Sequence, residues 1–100
     1  MARGNNVSND WMDSCANGVA VVGKVKKVFV NTDKVLKFSI DVANKTTTGK
    51  YSHSFLTITS FTYEGEVKEG DMVSVVGYLA TSSYNGKFST EIIASDIEIK

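Results

Sequence analysis

The stretch "SSYNGKFSTEI", residues 82–92, has Asn85-Gly86 at its centre. Both central residues of a type I′ hairpin turn need positive φ, which Asn and Gly tolerate best. The pair therefore predicts two antiparallel strands joined by a two-residue loop. That loop length fixes the register: Tyr84 opposes Lys87, Ser83 opposes Phe88, Leu79 opposes Ile92 and Tyr78 opposes Ile93. On this count Leu79 and Ile92 mark a core face. Tyr84 and Lys87 share the opposite face with Tyr78, Ala80 and Ser82. Two aromatics and a cation crowd a tip where water favours small polar residues. The tip is thus a candidate contact surface.

Working outward, the rest of the chain also reads as strands. "VAVVGKV" puts Val19, Val21 and Val25 on one face, and beyond Lys26-Lys27 the apolar positions change parity to Val28 and Val30. A parity change inside a strand implies a bulge or bend. "VLKFSIDVA" sends Leu36, Phe38, Ile40 and Val42 one way and Lys37, Ser39 and Asp41 the other. "YSHSFLTITSF" turns Leu56 and Ile58 against Phe55, Thr57, Thr59 and Phe61. "TYEGEVKEGD" is an acidic connection ending in a Gly70-Asp71 turn. "MVSVVGYLATSSY" and "KFSTEIIASDIEI" complete five strands.

No segment has helical periodicity and proline is absent. The fold class expected is all-β. Five strands with internal glycines suit a small closed barrel, in which closure removes the sheet edges. The five-stranded OB-fold Greek-key barrel with little helix is the architecture expected. Residues 1–17 are polar apart from Trp11 and are read as an N-terminal extension, with residues 18–100 as the barrel domain.

The chain has 100 residues, room for one modest core. No apolar run nears the roughly 18 residues of a membrane span, and the N-terminus carries no signal-peptide pattern. A cytoplasmic protein is expected, and the single Cys15 fits a reducing compartment. Net charge is zero but unevenly spread. Residues 18–60 hold seven lysines against Asp33 and Asp41, whereas residues 61–100 hold three lysines against seven acids. A local cationic surface attracts a polyanion even on a neutral chain.

The outward-facing residues follow from the alternation. Phe55 and Phe61 alternate out of phase with Leu56 and Ile58. Lys37 faces outward on the second strand, as do Lys24 and Lys26 on the first. Spaced aromatics near lysines suit sequence-independent binding of a single strand, because every base has a π face. Lysines meet phosphates with release of counterions. The expected contact set is Phe55, Phe61, Tyr84 and Phe88 with Lys24, Lys26, Lys37 and Lys87.

From about Asn17 to Ile99 the chain resembles bacterial and phage single-stranded-DNA-binding proteins. "NGVAVVGKV" resembles their opening strand and "KFSIDVAN" their Phe-Ser-Leu-Ala strand. "FLTITSF" is similar to a segment with an aromatic at each end, "EGDMVSVVGYLATSSY" to the stretch that runs to an aromatic, and "FSTEIIASDIEI" to the closing strand. The resemblance implies that Phe55, Phe61 and Tyr84 stack on bases. It implies a role protecting single-stranded DNA in replication, recombination or repair, and a dimer or tetramer assembled through the first strand.

The chain also departs from that family. Lys45-Thr46-Thr47-Thr48 stands where the family has an aromatic loop residue, Thr62-Tyr63 replaces a Gly-Lys, and Ser82-Ser83 replaces a basic pair. The family's helix between strands three and four shrinks to a few residues around Tyr63–Val67. An acidic C-terminal tail has no counterpart up to Lys100. These departures predict weaker or shorter-footprint binding.

Other classes fare less well. One Cys and one His cannot by themselves build a tetrahedral zinc site, and His53 on a strand reads as a surface or packing residue. No cofactor and no catalysis are expected. The alternative is a primosome-type accessory protein, since the chain is also similar to primosomal replication protein N. Such a protein acts mainly through contacts with other replication proteins. An oligosaccharide-binding barrel is supported by fold alone.

Overall fold

The computed structural model describes residues 10–100, except for the side chains of Asp10, Asp13 and Tyr84. Most of the polar N-terminal extension, residues 1–9, lies outside the described residues. A short 3-10 helix, Asp10–Ser14, precedes five strands: β1 (Val19–Asn31), β2 (Leu36–Lys45), β3 (Tyr51–Ser60), β4 (Met72–Tyr84) and β5 (Lys87–Ile99). They close into a barrel in the order β1-β2-β3-β5-β4. β1, β2 and β3 form a meander. The chain then crosses to lay β4 along β1, and β5 fills the gap between β4 and β3. All pairings are antiparallel except the short parallel one, Ile58↔Ile92 and Thr59↔Ile93, which seals the barrel. The expected five-stranded all-β barrel is the observed fold. The connection from Phe61 to Asp71 contains no helical residue, so the shortened helix expected around Tyr63–Val67 is replaced by irregular chain.

The alternating residues place the core. Leu36, Phe38 and Ile40 of β2 point inward with Val25, Ile58, Val73, Val75, Ile92, Ala94 and Ile97. Val67, from the connection, is buried with them. The parity change read after Lys26-Lys27 holds for Val28, opposite buried Phe38, but not for Val30: β1 shifts register against β2 between Val25 and Lys27 and again between Val28 and Val30, which puts Val30 opposite Lys37. The β3–β4 connection closes onto this bend. Val25 N–H donates to Asp71 C=O at 2.8 Å, and Gly70 N–H donates to Val25 C=O at 2.9 Å.

A second bend lies in β5, where Ser95 is the extra residue opposite Val76 and Gly77. Its hydroxyl donates to Val76 C=O at 3.0 Å. The strands approach so closely there that a Cβ on residue 77 would sit 2.0 Å from the Ile93 carbonyl oxygen, so only glycine fits. At the hairpin, Asn85 and Gly86 have φ of 53° and 78°, the two positive values of the expected turn.

The hairpin register matches the sequence reading in every pair, including Leu79↔Ile92 and Tyr84↔Lys87. The core assignment of Leu79 does not hold: it is 48% exposed, and Val73 and Val75 supply the β4 core. The reason is the length of β1. Its last pair with β4 is Val19↔Gly77, so Leu79 projects past the covered part of the barrel. The Asn17 side chain stands in for the missing strand, accepting from Leu79 N–H at 2.8 Å and donating to its C=O at 2.9 Å.

Candidate nucleic-acid interface

Strand alternation puts the odd-numbered residues of β3 on the side of the sheet opposite Leu56 and Ile58, where Phe55 is exposed but Thr59, at the pairing with β5, is buried rather than outward as expected. The pairings align them with β1 and β2 in rows: Lys24–Asp41–Phe55, then Lys27–Ser39–Thr57, then Val30–Lys37–Thr59. Neighbouring strands lie about 4.8 Å apart, so Lys24 and Phe55 are about 10 Å apart across the sheet. Phe55 is 64% exposed. Its row also holds Asp41, whose carboxylate bonds His53 Nδ1 at 2.8 and 3.1 Å. His53 is thus a surface residue tied to a β2 neighbour.

The β4–β5 hairpin forms the other wall. Beyond Gly77 it runs seven residues to Tyr84, an arm of about 23 Å at 3.3 Å per residue. Between arm and barrel lies an open groove of about 450 Å³. Phe29, Lys37 and Thr57 line it from the barrel, and Ser82, Ser83, Ser89, Thr90 and Glu91 from the arm. Two-stranded ribbons twist strongly, so residues from both faces of the arm reach the groove. Ser82 and Ser89 join hydroxyls at 3.2 Å across the arm. Lys37 Nζ forms an ion pair with Glu91 at 3.5 Å.

The expected contact residues do not all converge. Lys24, Lys26 and Lys87 are exposed, with Lys26 in the β1 bulge. Lys37 lines the groove, already paired. Phe88 is exposed but pairs with Ser83, on the ribbon face opposite Lys87. The backbone of Tyr84 ends β4 as expected, and its side chain lies outside the described part.

Phe61 is separated from Phe55. β3 ends at Ser60, whose hydroxyl accepts from Tyr63 N–H at 3.1 Å and turns the chain. Phe61 therefore lines a different groove, of about 580 Å³, with Asn31, Thr32, Asp33, Thr62, Tyr63 and Glu64.

Phe29 escaped the sequence reading. The parity change that turns Val28 inward, opposite Phe38, turns its neighbour Phe29 outward, so the signal was present. Lys27 Nζ lies 5.7 Å from its ring centroid, within cation–π range. Tyr51, opposite Lys45, adds an exposed aromatic to the face of Phe55.

No family model and no curated protein sequence matches the chain. Solved structures do. The N-terminal domain of a PriB protein from Thermoanaerobacter tencongensis, a dimeric structure, is 23% identical and has a TM-score of 0.58. That match covers 84% of this chain and 96% of the other. A Plasmodium falciparum SSB in complex with single-stranded DNA is 22% identical, with a TM-score of 0.63, over 86% and 96% of the two chains. A small single-stranded-DNA-binding protein from Streptomyces coelicolor is 20% identical, with a TM-score of 0.66, over 83% and 91%. Shared over nearly whole chains, these likenesses establish the OB barrel.

Proposed function

We propose that the protein binds single-stranded DNA without sequence preference and shields it during replication, recombination or repair. The observation that carries this reading is the outer face of the barrel. Phe29 and Phe55 stand exposed beside Lys24, Lys26, Lys27 and Lys37, next to a hairpin arm bearing Lys87 and Tyr84. Exposed aromatics separated by strand spacing offer stacking platforms, and the lysines offer phosphate contacts. The same fold carries single-stranded DNA in the Plasmodium complex. Residues 18–100 are the binding domain in this account. The work is binding, not catalysis, and among the described residues no cluster of His, Cys, Asp or Glu could hold a metal ion. Likewise, among those residues no helix is long and apolar enough to cross a membrane. The bacterial or phage-infected cytoplasm is the compartment this role requires.

Self-association is part of the proposal. Val22 on β1 and Met72, Val76 and Tyr78 on β4 form an exposed apolar strip on one outer face, through the pairs Ala20↔Val76 and Lys24↔Met72. On β1, Val19 and Val21 pack against the core, so Val22 is the valine of "VAVV" available for such contacts. The dimeric PriB domain favours the second reading, an accessory protein working mainly through other replication proteins. Fluorescence titration with oligo(dT) at two salt concentrations, beside a duplex of equal length, decides between them. The proposal expects saturable, salt-sensitive binding of the single strand in preference to the duplex. No response to oligo(dT) would favour the accessory role.

A further inference from the structure

We infer that Glu91 is a built-in counter-ion for Lys37 and limits how tightly the groove holds a phosphate. The inference rests on the single-strand reading above. Lys37 sits on β2 and Glu91 on β5, and β3 lies between them in the barrel order. Their 3.5 Å contact therefore reaches over β3 and joins the barrel wall of the groove to its hairpin wall. The two partners are unequally exposed: the Glu91 side chain is 11% accessible and that of Lys37 37%. Glu91 is the enclosed member, while Lys37 offers the open side from which a phosphate can approach.

A phosphate arriving at Lys37 must compete with this carboxylate. If it wins, Glu91 is left with little water and without its partner, which is unfavourable for a charged group. The leftover negative charge also faces the incoming phosphate. Lys37 is thus worth less to binding than an unpaired lysine such as Lys87 would be. Salt dependence carries the same signature. Single-stranded DNA gives a slope of about 0.7 per phosphate neutralised. A lysine whose charge is already cancelled within the protein adds nothing to that slope. Glu91 in this way trades affinity for faster release and for tolerance to salt.

The test is oligo(dT) titration of the full chain across a salt series, with wild type, Glu91→Gln, Lys37→Gln and the double variant. Glu91→Gln should bind roughly two- to fivefold tighter, the scale of a partly exposed ion pair. Its salt slope should steepen by about 0.7. In the Lys37→Gln background the same change should give a smaller gain. Glu91→Thr, a good strand former, supplies the same comparison if the Gln variant fails to fold. Wild-type binding with no tightening in either Glu91 variant overturns the inference and leaves the single-strand reading intact. An equal gain with and without Lys37 also overturns it, because Glu91 would then act by repulsion alone. A wild type that does not bind oligo(dT) at any salt overturns the single-strand reading and this inference with it.

Discussion

Phe55 and Phe61 sit six residues apart and are almost equally exposed, at 64% and 61%, yet they occupy different surroundings. Phe55 lies within β3, in a row with Lys24 and next to the row of Lys27. Phe61 lies beyond the strand end, in a groove bordered by Asp33 and Glu64 with no lysine in its lining. A base can stack on either ring. Only the first is placed for the adjoining phosphates to meet cations; near the second they meet carboxylates. Exposure of an aromatic therefore says that it can stack, and the charge around it decides whether a nucleic-acid backbone can follow.

That contrast can be broken at several levels. The largest effect belongs to an aromatic at neither place. Phe38 is fully buried opposite Ile58, and Phe38→Ala should cost about 3–5 kcal/mol of stability in thermal or denaturant unfolding. Phe61→Ala should change stability by no more than about 0.5 kcal/mol, the ordinary scale for a surface substitution. If it instead unfolds the barrel, the exposed-platform description fails. Next in size is the hairpin tip. Tyr84→Ala should weaken oligo(dT) binding by about 1–3 kcal/mol for any base sequence, as judged by titration with dT and dC oligomers. A loss confined to one base would mean readout rather than stacking.

The acidic groove gives a smaller and opposite effect. Asp33→Asn with Glu64→Gln should tighten binding, with a salt slope steeper by at most about 0.7 for each charge removed that a phosphate approaches. Unchanged affinity and slope would show that the bound strand does not reach Phe61. The smallest change is that of Lys87→Ala, which should flatten the salt slope by about 0.7 and leave folding intact.

Local pattern carried most of the fold. Leu36, Phe38 and Ile40 alternate cleanly because one side of β2 meets only core. Asn85-Gly86 set the ladder from Tyr84 back to Gly77, where the Ser95 bulge shifts it, because a two-residue loop permits one register. The shift from Val25 to Val28 announced the β1 bend. What failed depended on where neighbouring strands stop. Leu79 pairs with buried Ile92, but β1 begins only at Val19, so no β1 residue lies opposite Leu79 and it stays half exposed. Phe61 continues the parity of Phe55, but the Ser60 hydroxyl ends the strand first. The site was less legible for the same reason. Lys37 and Glu91 lie 54 positions apart and meet only because β5 inserts beside β3, a closure that no local pattern reports. Phe29 was recoverable from parity alone, and its neighbour Lys27 with it.

The central test falls on Phe55, the exposed aromatic in the cationic rows. Titration of wild type and Phe55→Ala with oligo(dT), alongside circular dichroism and unfolding of both, isolates it. The expected variant is fully folded, with an affinity lowered by about 1–3 kcal/mol, roughly tenfold to a hundredfold. A folded Phe55→Ala protein that binds oligo(dT) as tightly as wild type would contradict the stacking role.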